Sequence, residues 1–401
     1  MILKNGKILI GEELVEKDIR IEGDTIVEIA DEIDGDNVIY VNGCWVMPSA
    51  TDVHVHLREP GFEYKETVAT GTNAAAKGGV GTIMSMPNLR PCPDSVEHLK
   101  VQLDAIKKDA SVKVYPYASV TVNEEGKELA DLEALAPYVL AFTDDGKGVN
   151  NLNLLRQAML IAKDNDKVVA SHAEAEGYGF GREAEIIAVE REIKMAEEVG
   201  CKYHFCHIST MEAYEYIRQA KERGVDVTVE VTPHHLLLND GDITDGNTKM
   251  NPPLRPMSDM IATVQALLDG TVDMIATDHA PHAPHEKGDY DKSLNGIIGI
   301  ETFLPSIYTC FVRTGLISYG RFIELCSTAA AERFGLPVAK LEVGEKANLC
   351  ALDIENEREY TQEEIVSLSK NSPFIGYKFY GFNRLTLVDG EIKYIQLTRE
   401  A

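Results

Sequence analysis

DVHVHLREPG, residues 52–61, opens as a β-strand and ends as a polar loop. Val53, Val55 and Leu57 alternate with His54 and His56, a period of two that belongs to a strand rather than a helix. Side chains two apart on a strand point the same way, so both imidazoles can aim at one point and hold one metal ion. A strand whose C-terminal end carries chemistry is what a barrel of parallel strands places at its mouth.

Seven further segments repeat this design. Strand-like runs stand at 82–86, 112–120, 139–143, 168–172, 203–207, 227–232 and 274–277. Segments with the apolar spacing of helices follow most of them, at 65–77, 96–107, 153–163, 183–198, 211–223, 258–268 and 321–334. Eight such repeats predict an α/β protein built on a (β/α)8 TIM-type barrel, a fold of ~250 residues or more. A doubly wound sheet is the competing layout, but it gives no reason for polar clusters to recur at so many strand ends.

The two ends of the chain read differently. ILKNGKILI (2–10), DIRIEGDTIVEIA (18–30) and NVIYVNGCWVM (37–47) are short strands broken at Asn5-Gly6, Gly23-Asp24 and Asn42-Gly43. ANLCALDI (347–354) and RLTLVDGEIKYIQL (384–397) match them, the second folding back at Asp389-Gly390. The division expected is a small composite β-sandwich domain from residues 1–48 and 346–401 beside a barrel domain of residues 49–345.

The 401 residues are 44% hydrophobic and 26% charged, and no apolar run approaches the ~20 residues of a membrane span. With 39 Lys plus Arg against 65 Asp plus Glu, the net charge is −26, which repels a phosphate backbone and argues against nucleic-acid binding. A small anionic substrate is repelled too, unless the site reverses the sign locally. The opening MILKNGKILIGEELVEKD lacks the basic start, apolar core and cleavage site of a secretory signal, so a cytoplasmic location is expected. Seven scattered cysteines without a CxxC pair fit reduced thiols in that compartment.

Six of the eleven histidines fall at four strand ends: His54 and His56, His172 in ASHAE, His207 in FCHIST, and His279 and His282 in ATDHAPH (276–282). A lone buried histidine is more often a satisfied core residue than a ligand, but clustering at one end of one barrel reverses that expectation. Alternation in FCHIST groups Tyr203, Phe205 and His207 on one face, so an inward His207 sends Cys206 outward against the helices. A carboxylate completes such a site, and AFTDDG (141–146) offers two. Asp145 alternates with the small Ala141 and Thr143, which suit the interior beside a metal; the competing reading makes TDDG a turn only.

DVHVHLREPG, SMPNLRP (85–91), AFTDDG, CHIST (206–210), VTPHHLLL (231–238), KMNPPLR (249–255) and ATDHAPH stand in the order seen in dihydroorotases. From about Pro48 to Gly299 the chain resembles the bacterial-type branch of that family, cyclic amidohydrolases of the amidohydrolase superfamily, and GLPVAKLEVGEKANL (335–349) is similar as well. HxH alone is a weak signal, whereas HVHLREPG together with ATDHAPH is a strong one.

The resemblance implies a zinc-dependent hydrolase acting on cyclic amides. Its reaction is the reversible cyclisation of N-carbamoyl-L-aspartate to (S)-dihydroorotate with release of water, the third step of de novo pyrimidine synthesis. It implies that His54, His56 and Asp278 hold one Zn2+ and that Asp145 bridges to a second, held by His172 and His207. Many relatives bridge with a carboxylated lysine; here Asp145 stands at that strand end, and Lys147 beyond the turn is a poor substitute. Asp278 is implied as the catalytic general base and acid. Substrate binding is implied for His56, Arg58, Asn88, Asn251, His282, Asn295 and Gly296, with Arg58 offering a fork matched to a carboxylate. Asn251, in Asn-Pro-Pro, has the alternative reading of a rigid loop. The stretch 282–295, rich in charge, reads as a mobile lid. His279 is left without a role, and His234-His235 read as structural.

The partners implied are the small-molecule substrate, a second copy in a homodimer, and aspartate transcarbamoylase. One alternative is another cyclic amidohydrolase, a hydantoinase, dihydropyrimidinase or allantoinase, whose ring gives Arg58 no carboxylate. The other is a non-catalytic, dihydroorotase-like scaffold, a class that tends to lose metal ligands.

Overall fold

The computed structural model describes residues 1–396; Leu397 of the predicted terminal hairpin and the remainder of the 346–401 segment lie outside the described residues. Eight parallel strands close into a barrel: Ala50–Val55, Val80–Ser85, Lys113–Pro116, Ala141–Phe142, Val168–Ser171, Lys202–Phe205, Val227–Val231 and Met274–Ile275. Ladders join the first three and the last five. Bridges between Ala118 and Phe142 and between Val55 and His279 span the two remaining gaps. Across them the His56 N–H donates to His279 O at 2.9 Å and the Thr143 N–H to Ala118 O at 3.0 Å.

Helices Val68–Gly78, Val96–Asp109, Leu152–Asp164, Arg182–Val199, Met211–Glu222 and Met257–Leu268 cover the barrel. Their starts are written in the sequence: Thr67, Ser95 and Asn151 cap the first, second and third with their side-chain oxygens. Outward residues such as Ile83, Phe142, Val169, Tyr203, Phe205 and Val229 pack under these helices. Inward ones, among them Val53, Met84, Tyr117, Ala141, Val168 and Met274, fill the barrel together with Phe334. The barrel is thus a packed core whose chemistry is confined to one end.

FCHIST departs from the expected alternation. Cys206 packs inside the barrel among Ala170, Met274 and Ala276, whereas Tyr203 and Phe205 face the helices. The reason is that the ladder stops at Phe205, and His207 lies beyond it with φ 33°. A period of two has no hold outside a strand, and that left-handed turn brings His207 back over the mouth. Strands also end earlier than predicted, 113–116 in place of 112–120, because the chain there turns over the mouth. Asp144 takes up its freed groups, accepting from the Val120 and Thr121 N–H at 2.7 and 3.0 Å.

The chain ends build one eight-stranded sheet, in the order 391–395, 382–388, 349–353, 45–48, 2–10, 13–22, 25–30, with 38–40 also paired to 2–10. It curls round a core of Leu3, Ile8, Ile19, Val46, Leu349 and Leu385. The curl closes where the Ile26 N–H donates to Glu345 O at 2.9 Å. Asp389 and Gly390, with φ of 48° and 76°, make the predicted two-residue turn between Val388 and Glu391. Asn383 donates its amide to Ala76 O and Lys77 O, and the Thr386 hydroxyl donates to Ala76 O at 2.6 Å. The sheet therefore caps the C-terminus of the helix that follows the His54–His56 strand, bracing the element that anchors the site.

Candidate active site

Asp145 is the point on which the strand ends converge. Its Oδ1 lies 3.3 Å from His54 Nε2, 3.7 Å from His207 Nε2 and 3.9 Å from His172 Nδ1, and its Oδ2 lies 3.4 Å from His56 Nε2. Asp278 adds a second carboxylate, with Oδ1 3.0 Å from His56 Nε2 and 3.4 Å from His54 Nε2. All six side chains are buried. The ligand atoms of His54, His56 and Asp145 form one compact trio and those of Asp145, His172 and His207 another, so Asp145 belongs to both. The backbone is bent to deliver them: His207, Asp278 and the neighbouring Arg58 have φ of 33°, 48° and 61°. Such conformations cost energy for residues with a Cβ and persist where the surroundings enforce them.

The electrostatics of this cluster favour a cation. Burial disfavours charge on His54, yet Asp145, Glu230 and Asp278 outweigh it and raise the imidazole well above its ordinary range. Burial also raises Asp145 and Asp278, but the surrounding histidines prevail and hold both carboxyls below the usual carboxylate range. His54 Nε2 and Asp145 Oδ1 are buried without a hydrogen-bond partner, and His172 Nδ1 faces His207 Nε2 at 3.0 Å. Lone pairs stranded in this way are costly, and a divalent ion with imidazole and carboxylate ligands satisfies them together. The residues present fit a metal cofactor.

Glu230 supports this cluster from below and escaped the sequence reading. His54 donates its Nδ1–H to Glu230 Oε1 at 2.6 Å, which leaves Nε2, facing Asp145, as the nitrogen that a metal would take in place of a proton. The same carboxylate accepts from the His207 N–H at 3.2 Å and from His204 Nε2 at 3.0 Å, and although burial opposes its charge, His54 and His204 lower it to about 2. A signal existed: in VTVEV, Val227, Val229 and Val231 face the helices, so the intervening acid had to point inward.

Next to the cluster is a cavity of about 210 Å³, and the structure brings all seven predicted substrate-binding residues to its wall. Arg58 is buried, its Nε donating to Pro281 O at 3.2 Å and its Nη2 lying 3.4 Å from His282 Nε2. Asn88 donates its amide to Asp145 O at 2.9 Å and to Glu124 Oε1 at 3.1 Å. Asn251 donates to Glu174 Oε2 at 2.8 Å and lies 3.0 Å from His172 Nε2. Gly296, with φ 134°, passes so close to Ala280 that a Cβ there would meet its carbonyl oxygen at 2.9 Å.

His279 and His235 are tied to backbone and side-chain groups outside the cluster. His279 Nδ1 accepts from the Gly299 N–H at 3.3 Å and its Nε2 lies 3.5 Å from Glu66, away from the cavity. His235 donates Nε2–H to Pro252 O at 3.0 Å and accepts from the Thr232 hydroxyl at 2.8 Å. The 282–295 stretch, expected as a mobile lid, is cross-tied: Lys287 donates to the carbonyls of Lys249, Leu294 and Gly296 at 3.1, 2.8 and 2.7 Å.

A family model described as Dihydro-orotase-like matches residues 43–213. The dihydroorotases of Macrococcus caseolyticus and Staphylococcus aureus are each 44% identical to the chain, covering 98% of it and 98% and 99% of their own lengths. That of Fusobacterium nucleatum is 43% identical over 98% of both. Among solved structures, the L-hydantoinase of Arthrobacter aurescens is similar with a TM-score of 0.87 at 24% identity, over 98% of this chain and 96% of that one. The dihydropyrimidinase of Brevibacillus agri gives 0.88 at 22%, over 98% and 95%. These structural likenesses show the barrel fold, and the near-full-length identities go further: the chain belongs to the dihydroorotase family.

Proposed function

We propose that the protein catalyses the reversible cyclisation of N-carbamoyl-L-aspartate to (S)-dihydroorotate, with release of water, in de novo pyrimidine synthesis. The observation that carries this reading is the Arg58 guanidinium beside His282, in the same cavity as the His/Asp cluster. A dihydroorotate ring bears an exocyclic carboxylate for that corner; hydantoin, dihydrouracil and allantoin leave the buried guanidinium without an anionic partner.

Two Zn2+ ions per subunit are the cofactor in this reading, supported by the two ligand trios that share Asp145. Bound there, zinc supplies Lewis acidity to a carbonyl oxygen and lowers the pKa of a water. Arg58 and His282 hold the substrate's carboxylate and so set the reacting amide against the cluster. Asp278, kept ionised by His54 and His56, takes a proton from the attacking water in ring opening and gives it to the ring nitrogen. In cyclisation it moves the same proton the other way, from the ureido nitrogen to the departing hydroxyl.

The chemistry is assigned to the barrel unit, 49–345, and bracing to the composite unit of 1–48 with 346–401. A cytoplasmic location, a homodimer and an association with aspartate transcarbamoylase belong to the same reading. No helix among the described residues is long and apolar enough to cross a membrane. Exposed Met211, Ile261 and Leu268 on adjacent outer helices offer a contact surface.

Zinc-loaded protein is expected to interconvert the two pyrimidine precursors ~10⁴-fold faster than it opens hydantoin or dihydrouracil, the scale of discrimination a buried polar partner gives. Turnover of those rings with none of dihydroorotate would overturn the proposal.

A further inference from the structure

Two independent partners fix the proton on His282. Lys65 Nζ lies 3.2 Å from Nδ1, and because an ammonium only donates, Nδ1 must present a lone pair. Nε2 lies 2.8 Å from Asn295 O, which only accepts, so Nε2 carries the hydrogen. Both contacts dictate one neutral tautomer. Two longer contacts pull the other way: Glu286 Oε2, 3.4 Å from the same Nδ1, would accept a hydrogen from it, and the Arg58 guanidinium, 3.4 Å from Nε2, would donate there, against the much shorter 2.8 Å contact to Asn295 O. The contest goes to Lys65, which pairs with Glu286 Oε1 at 3.0 Å while the Tyr64 hydroxyl and the Ala283 N–H donate to the same carboxylate. Lys65 comes from the loop after the first strand and Glu286 from the stretch after the eighth, so the clasp also ties those two segments together.

The charged groups facing His282 are Arg58, Lys65, Glu286 and Lys287. Burial, with Arg58 and Lys65 next, keeps the ring neutral by lowering its pKa to about 3. Nothing in FEYKE (62–66) marks Lys65 for this contact, since its partner lies more than two hundred residues away.

We propose that Lys65 is a positioning residue of the substrate site, holding His282 in the Nε2–H tautomer so that the hydrogen now donated to Asn295 O stands beside Arg58, where an anionic oxygen of the substrate shares it or takes it over. The substrate half of this rests on the carboxylate reading of the Arg58 corner; the tautomer half does not.

The test is the ¹⁵N spectrum of the histidines in the zinc-loaded protein, with His282→Gln to assign the signal. His282 is expected to show a protonated Nε2 and an unprotonated Nδ1 from pH 6 to pH 9. In Lys65→Met, Glu286 is expected to claim an Nδ1–H. KM for dihydroorotate then rises about tenfold, the loss of one charge-assisted contact, with kcat little changed, and a new ionisation between about pH 5 and 8 enters the KM profile. Lys65→Arg restores the wild-type spectrum. So does Lys65→Met with Glu286→Gln, whose amide donates to Nδ1 without bringing a positive charge, separating tautomer control from simple attraction. A wild-type signal with hydrogen on Nδ1 overturns the proposal even if no Lys65 variant folds. An unchanged tautomer and KM in Lys65→Met does the same. The stated tautomer in a protein that does not turn over dihydroorotate would count against the proposed reaction and leave the role of Lys65 toward His282 standing.

Discussion

Asp278 sits in a left-handed backbone conformation with its carboxylate wedged between His54 and His56. Asparagine in its place keeps the shape but neither accepts the proton nor balances the cluster's charge. Asp278→Asn is expected to lower turnover by ~10³-fold or more, with the melting temperature changed by only a few degrees, checked by steady-state rates beside thermal unfolding. Arg58→Lys is a subtler test, since it keeps the charge but loses the planar fork. KM should rise ~10- to 100-fold with a smaller change in kcat; an unaltered KM would remove Arg58 from the carboxylate corner. At this scale the sequence was most legible where strand alternation aims a side chain, as for His54 and His56. It was least legible for Lys65, Glu174 and Glu286, whose partners are fixed only when distant loops meet.

The loops that follow the strands hold the site through carboxylates that are not themselves in the cluster. Glu124, in the connection after the third strand, is buried with φ 54° and accepts from the Asn88 amide. Burial, with Asp144 next, pushes it up to about 8. In the unfolded chain a glutamate titrates near pH 4.3, so the folded protein holds the extra proton between these values. Folding is therefore favoured by this group below about pH 4.3, and the benefit is lost as the pH rises through 8. Glu124→Gln keeps an acceptor for Asn88 without the proton. It should melt higher than the parent at pH 9, by an amount on the order of 2 kcal/mol, with the difference shrinking toward pH 5; parallel pH–melting curves for the two proteins would disprove the assignment. The elements themselves were readable from period and caps, but their ends were not. The 112–120 run keeps only the Ala118 bridge beyond its 113–116 strand, and past it Asp144 takes the Val120 and Thr121 N–H as Glu230 takes that of His207 beyond Phe205.

Composition described the whole molecule as an anion-repelling body, and its net charge of −26 left an acidic substrate unexplained. The structure shows what no count of residues contains, the placement of the minority charges. Arg58, Lys65, Arg90 and Lys147 outnumber Glu124 and Glu125 in the lining of one cavity of about 630 Å³ that adjoins the site, so the balance of charge at the entrance is cationic. Behind it, Asp145, Asp278, Glu230 and Glu174 crowd against the four cluster histidines, in a barrel whose inner layers are otherwise apolar. Such a concentration of buried carboxylates is stable as a unit only if positive charge is shared among them, by protonated imidazoles or by metal. Since a metal binds the folded cluster and not the unfolded chain, its removal should be felt by the entire fold. Stripping the protein with a chelator is expected to lower its melting temperature by roughly 5 °C or more, since a ligand at 1,000 times its Kd stabilises by ~4 kcal/mol. Zn2+ should restore it and Mg2+, which prefers oxygen donors, should not. Melting curves with and without chelator decide the matter: coincident curves would mean that the cluster is held by its own protons and needs no metal to keep its shape.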